Sequence, residues 1–314
     1  MVRLIPNSKV TLIGGLGFIG TNLQKVLLGW GHDPSKIVVI DDLSNSADVK
    51  ISDEVRVELG DFAKLKNLDS ILRETDILVH LAADTRVQDS IENPQKNFQK
   101  NVLDTFELLE SCRINNVRKF VFASTGGAIL GDVAPPIDET MTPLPKSPYG
   151  ASKAAVEAYL SAYFHSYGIP YLVLRFSNIF GQFSSNKKSV VSAFIKQIHD
   201  DNEVMIFGNG KQTRDFLYAD DLCEGITRAL IADSRGVYQL GSGVGTSILE
   251  IADLVIESFD QSVAIKFLDP LVGEVQNTYC DINKAIGDFG FSPVTPLKQA
   301  ISETVKWHLS IKSE

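Results

Sequence analysis

Short, continuously apolar runs rich in β-branched residues alternate with helical patterns through the first half of the chain. The runs fall at 9–13, 37–41, 55–59, 77–82 and 119–123, with helical spacing of apolar positions at 21–28, 65–73 and 98–113. Strands apolar on both faces need helices over both faces, and strand-to-strand spacings of about 20 to 40 residues leave room for a crossover helix each time. The pattern predicts an α/β fold of Rossmann type, a doubly wound parallel sheet. After 172–176 the character changes to glycine-rich turns such as Gly208-Asn209-Gly210 and Gly241-Ser242-Gly243. Residues 1–176 are therefore expected to form the sheet domain, with segments near 213–241 returning to it, and 177–314 a smaller lobe. The segment 131–148 carries five prolines and reads as a long ordered loop over the carboxyl edge of the sheet, where sites are usually built.

Glycines recur at Gly14, Gly17 and Gly20, after the first strand and at the opening of the first helix. One glycine for the turn, one for the approach of a pyrophosphate and one for helix–strand packing give a dinucleotide close access to the helix N–H groups. The second strand ends in Asp41, where a carboxylate can accept both adenosine ribose hydroxyls. An acid there repels a 2′-phosphate and no Arg follows in 42–46, so the expected cofactor is NAD. Farther on, Tyr149 and Lys153 stand four residues apart, on one face of a helix starting at the Ser147-Pro148 stop. A phenol serves as a base near neutrality only when its pKa falls well below about 10, and a neighbouring cation does that. Ser124-Thr125 at the end of the 119–123 strand supplies hydroxyls beside them.

Composition narrows the partners. The net charge of −9, from 30 basic and 39 acidic residues, carries no phosphate-neutralising excess, so nucleic acid is not an expected partner. The longest apolar runs are far shorter than the roughly 20 residues that cross a bilayer, and no signal-peptide cleavage pattern is present, so the expectation is a cytoplasmic protein without a membrane partner. Cys112, Cys223 and Cys280 lack disulfide or zinc spacing and read as buried small hydrophobes, and the five histidines form no metal spacing. No metal is expected.

Further motifs add to these: Asp41-Asp42-Leu43-Ser44-Asn45-Ser46, Gly60-Asp61, His80-Leu81-Ala82-Ala83, the helix from Asn101 to Glu110, Pro148-Tyr149-Gly150-Ala151-Ser152-Lys153, Arg175-Phe176-Ser177-Asn178 and the stretch from Phe207 to Phe216. Over nearly the whole chain the sequence resembles the extended short-chain dehydrogenase/reductase superfamily, and within it the NAD-dependent epimerase/dehydratase family, UDP-sugar 4-epimerases most of all. The resemblance implies that Gly14, Gly17, Phe18, Ile19 and Gly20 hold the pyrophosphate and that Asp41, Asp42, Leu43, Asn45 and Ser46 surround the adenosine ribose. It places Asp61 and Phe62 at the adenine, Leu81, Ala82 and Ala83 under the dinucleotide, and Asn101 and Ser124 on its flank, with Lys153 also on the nicotinamide ribose.

The implied reaction is C4 epimerisation of a nucleotide-diphosphate sugar, a UDP-hexose, through a 4-keto intermediate, with Tyr149, Lys153 and Thr125 as catalytic groups. Another nucleotide-sugar conversion on the same fold, a 4,6-dehydration, decarboxylation or reduction, is the alternative, and it asks for an extra acid that Gly126-Gly127 does not supply. For the substrate, the resemblance implies Asn178 and Arg214 on the diphosphate, Val190 and Phe207 around the base, and Glu274 in the second lobe, and it implies a homodimer paired through the helices at 101–113 and 154–164. Three departures stand out. Leu130 replaces a customary Tyr, Leu271 replaces an Arg before Glu274, and one alignment puts Gly126 rather than Thr125 at the hydroxyl position.

Overall fold

The computed structural model describes residues 8–47, 51–185, 187, 189–259, 261–270 and 276–311. Its strands are β1 (Val10–Ile13), β2 (Ile37–Asp41), β3 (Arg56–Leu59), β4 (Ile77–His80), β5 (Lys119–Thr125), β6 (Tyr171–Phe176), β7 (Asn178–Phe180), β8 (Glu203–Phe207), β9 (Thr213–Tyr218), β10 (Gly236–Leu240), β11 (Gly245–Ser247) and β12 (Ala264–Leu268). Seven of them form one parallel sheet in the order β10-β6-β5-β4-β1-β2-β3. The order reverses direction at β1, so a crevice opens at the carboxyl ends of β1 and β4, the place where such sheets bind ligands. Leu81 and Ala82, just past β4, donate their N–H groups to Ile13 O at 2.9 and 3.0 Å, so the two strand ends leave the sheet as one unit.

Each face of the sheet carries its own core. On one side Leu12, Val39, Val79, Val121 and Leu174 pack with Leu23 of the helix Phe18–Gly29 and with Leu222 and Ile226 of the helix Ala219–Ile231. On the other, Ile13, Ile40, Leu78, Phe120 and Phe122 meet Leu108 and Leu109 of the helix Asp104–Ile114 and Val156 and Leu160 of the helix Pro148–Tyr167. Burial of each such side chain contributes about 1.5–3 kcal/mol, which is why both faces of the central strands are mostly apolar. A third core gathers Phe180, Phe194, Ile198, Val204, Ile251 and Val305 from later elements.

Past residue 176 the chain returns to the sheet domain: β10, within the 213–241 segment, completes the main sheet by pairing with β6, and the helix Asn283–Phe289 packs Ala285 and Phe289 into the first core with Leu222 and Ile226. The proline-rich loop is ordered as expected, and its order has a long-range source. Ile137 N–H donates to Tyr279 O at 2.9 Å and Ile137 O accepts from Asp281 N–H at 2.8 Å.

Candidate active site

The glycine turn is built by contacts that leave no room for side chains. A Cβ on Gly14, whose φ is +78°, would stand 2.8 Å from Ala82 N, and one on Gly20 would stand 2.4 Å from Gly15 O. Gly17 differs, since a Cβ there would find nothing nearer than Gly14 O at 3.4 Å. The space in front of Gly17 opens into the crevice, at the head of the helix Phe18–Gly29, whose first turn no side chain caps. Uncapped N–H groups and the positive end of the helix dipole face that opening, an arrangement suited to phosphate.

Asp41 ends β2 almost fully buried. Its two carboxylate oxygens accept the N–H groups of Leu16 and Leu43, both at 2.9 Å, so it straps the glycine turn to the strand end as well as offering remaining lone pairs to a ligand. Burial raises its pKa, with these N–H groups pulling the other way. Asp61 takes Lys100 Nζ at 2.7 Å. Burial acts to raise its pKa, but Lys100 and the Ala63 N–H hold it below the ordinary value. Asn101 lies in a single π-helical turn, Gln99–Leu103, and its amide is committed to Asp84 N–H and O, both at 2.9 Å, and to Ser152 Oγ at 3.2 Å. It ties the exit of β4 to the Pro148–Tyr167 helix.

Ser147 caps that helix by accepting the Gly150 N–H at 3.1 Å, and Pro148 fits the first helical position, where no N–H is needed. Tyr149 and Lys153 therefore lie in its first two turns, both buried against the end of β5. Lys153 Nζ donates to Ala123 O at 2.9 Å and sits 4.5 Å from the centre of the Phe122 ring. Burial pulls the ammonium down to about 7, opposed by Glu157. Burial pushes the Tyr149 phenol up to about 12, opposed by hydrogen bonding from Thr125. Burial thus disfavours the ammonium and the phenolate alike, and the phenol stands above its ordinary value rather than below it as the Tyr–Lys spacing suggested. Thr125 rather than Gly126 is the group beside the phenol. Ser124 points elsewhere, donating to Glu157 Oε1 at 2.6 Å.

His80, fully buried, bonds Thr105 Oγ1 through Nε2 at 3.0 Å, and burial, with Lys153 adding, drives it down to about 3, so it stays neutral. All three cysteines are buried. Among the described residues no cluster of three His, Cys, Asp or Glu could hold a metal, and no helix is long and apolar enough to cross a membrane.

The residues expected at the substrate are more dispersed. Asn178 on β7 and Arg214 on β9 stand on paired strands, and Asn178 Nδ2 donates to Asp215 O at 3.3 Å. Arg214 Nη1 rests on Thr213 O at 2.8 Å and Gln276 O at 3.4 Å. Val190 starts the helix Val190–Asp201 and packs on the third core, whereas Phe207, at the end of β8, is exposed beside exposed Phe267 and Leu268 of β12. Leu271 and Glu274 lie outside the described residues. The sequence reading missed Glu157, which shares a helix face with Tyr149 and Lys153 at the same four-residue spacing; that repeat was the available signal.

A doubly wound sheet of this order with a Tyr–Lys pair beside its switch point defines the short-chain dehydrogenase/reductase class. Residues 10–241 match the NAD dependent epimerase/dehydratase family, and the chain belongs to it. It is 29% identical to the UDP-glucose 4-epimerase of Mycolicibacterium smegmatis over 95% of this chain and 98% of that one. Two solved structures superpose closely. One is a UDP-N-acetylglucosamine 4-epimerase from Methanobrevibacter ruminantium in complex with UDP-N-acetylmuramic acid, with a TM-score of 0.90, 28% identity and coverage of 98% and 99% of the two chains. The other is a Thermus thermophilus UDP-glucose 4-epimerase complexed with NAD, with a TM-score of 0.87, 32% identity and coverage of 95% and 98%.

Proposed function

We propose that this protein interconverts C4 epimers of a UDP-hexose through a 4-keto intermediate, with NAD held at the glycine turn. The observation that carries this reading is the convergence of Thr125, Tyr149 and Lys153 at the end of β5, with glycine rather than an acid at positions 126 and 127. A dehydratase or decarboxylase asks for an acid near the hydroxyl, where this chain has Gly126 and Gly127.

The residues present suit the dinucleotide. Gly17 leaves the pyrophosphate its space, the head of the Phe18–Gly29 helix provides donors, and Asp41 suits a ribose without a 2′-phosphate. Bound NAD supplies the acceptor, and then the donor, of the C4 hydride. Tyr149 takes the proton of the sugar 4-hydroxyl and returns it to the opposite epimer. Thr125 holds the reacting oxygen by a hydrogen bond, and Lys153 stabilises the phenolate while its ammonium also holds the nicotinamide ribose. Arg214 and Asn178 hold the diphosphate, and the exposed ring of Phe207 stacks on the base. Exposed Leu103, Tyr159, Phe164 and Tyr167 on the neighbouring helices form the apolar face through which two copies pair.

The test is a panel of UDP-, TDP- and GDP-sugars followed by proton NMR. The expected result is an equilibrium mixture of a UDP-hexose and its C4 epimer. A dehydrated, decarboxylated or reduced product, or no new sugar at all, overturns the reading.

A further inference from the structure

The end of β5 is gripped residue by residue. Lys153 Nζ takes Ala123 O at 2.9 Å, Glu157 takes Ser124 Oγ at 2.6 Å, and Tyr149 meets Thr125. Three side chains spaced four residues apart on one helix face thus engage three consecutive strand residues. The fourth, Gly126, abuts the Gln239 amide, which comes from β10.

Glu157 is itself held. Arg175 of β6 reaches it through Nε at 3.1 Å and Nη2 at 2.8 Å, a bidentate pair in which both residues are at least nine-tenths buried. In the sheet Ser124 is the direct neighbour of Arg175, and Arg175 of Gln239, so a buried polar row crosses β5, β6 and β10 in one register. Removing such an ion pair from water costs about as much as its attraction returns, and apolar residues of similar volume serve a fold as well. A gain in stability is therefore a weak account of this pair, and its place, bonded to the residue before Thr125 and one turn from Lys153, offers another.

We propose that Glu157, held by Arg175, is a positioning residue: it fixes the end of β5 against the helix so that Thr125 and Lys153 both stand in reach of Tyr149. The inference rests on Tyr149 being the proton-transferring group, as proposed above. Its carboxylate anchors Ser124, which leaves Thr125 little freedom, and places a negative charge near Lys153 that favours the ammonium. The other titratable group facing Lys153 is His80 from β4, which is neutral, and Tyr149 lies one turn earlier on the same helix.

The test is the double variant Glu157→Met/Arg175→Met, which removes both charges and keeps the volume, with Ser124→Ala as a milder variant that cuts only the strand's side of the grip. Thermal unfolding and bound dinucleotide content are measured first, and both are expected to stay near wild type. The Tyr149 phenolate is then titrated by ultraviolet difference against the matching Tyr149→Phe protein, a measurement that needs no substrate. Its midpoint is expected to rise by about half a pH unit or more in the double variant, because Lys153 loses its supporting anion and Thr125 its placement. With a UDP-hexose, kcat is expected to fall about 10- to 100-fold while KM stays within about twofold. An unchanged midpoint together with unchanged kcat in a folded double variant overturns the proposal and leaves the pair a structural one. If the double variant does not fold, an unchanged midpoint and kcat in Ser124→Ala overturn it equally. If the wild-type protein converts no UDP-sugar, the functional reading fails and the phenolate midpoint alone decides the inference.

Discussion

The glycine turn and the proposed substrate wall are made by different physics. On the glycine wall the backbone is packed tight, Gly14 against the backbone of Ala82, Gly20 against that of Gly15, and Gly15 so close to the Val39 side chain that a Cβ would stand 2.8 Å from its Cγ1. On the proposed substrate wall, side chains stand on two small sheets: Asn178 and Phe207 are exposed, and Arg214 leans on backbone carbonyls. The first wall is dictated by packing as strict as a core's, so its residue types are forced. The second tolerates many side chains for the same backbone, which suits the substrate contacts proposed there. Tyr149 stands between them and should depend on neither. Tyr149→Phe is expected to keep its melting temperature and bound dinucleotide and to lose about 10²- to 10⁴-fold in kcat, the usual cost of a missing general acid–base group. Turnover near wild type would assign the proton transfer to another residue.

Within the glycine wall, packing and binding can be separated. Gly20→Ala forces a Cβ into Gly15 O, and the expected loss is about 1–3 kcal/mol of stability, read as a lower midpoint in denaturant. Gly17→Ala meets no such contact and costs the fold at most about 1 kcal/mol through the poorer helix cap. Its methyl group instead projects into the opening, so dinucleotide affinity is expected to fall about tenfold or more with the fold intact. Equal effects of the two substitutions on stability would mean that Gly17, too, is a packing glycine.

The same division explains what the sequence made legible. Four of the five strands of the first half are visible because burial on both faces leaves uninterrupted runs such as Ile37-Val38-Val39-Ile40, whereas β3, at the sheet edge, is largely exposed and shows only a short mixed run. β5 runs two residues past its apolar run, through Ser124 and Thr125, because Arg175 and Phe176 on β6 continue the ladder, and partners on another strand leave no local signature. Asp41 was readable as an acid at a strand end, but its grip on Leu16 N–H was not, since 25 residues separate them. The anchoring of the 131–148 loop by 279–281 has the same origin in distant contacts. Glycine spacing and the Tyr–Lys interval are local and were read directly. The substrate wall offered single residues on separate elements, and so little periodicity to read.

Arg214 gives the substrate wall its own test, smaller than the others because it removes one contact among several. β9 carries it next to the strand of Asn178, and the guanidinium rests at its root on Thr213 O and Gln276 O, so its planar fork is already oriented before a ligand arrives. A charge-assisted hydrogen bond to a diphosphate is worth roughly 1.5–3 kcal/mol, so Arg214→Ala is expected to raise the KM for a UDP-sugar about tenfold to a hundredfold. Because the residue lies away from the glycine turn, bound dinucleotide content should not change, and because it does not touch Tyr149, kcat at saturation should fall far less than in Tyr149→Phe. A matched loss of dinucleotide and substrate binding would show that the two walls are coupled through the third core rather than independent. Unchanged substrate affinity would remove Arg214 from the diphosphate and turn attention to half-buried Lys187, whose ammonium donates to Ile179 O at 2.8 Å and lies 4.9 Å from the ring centre of Phe18 at the head of the first helix.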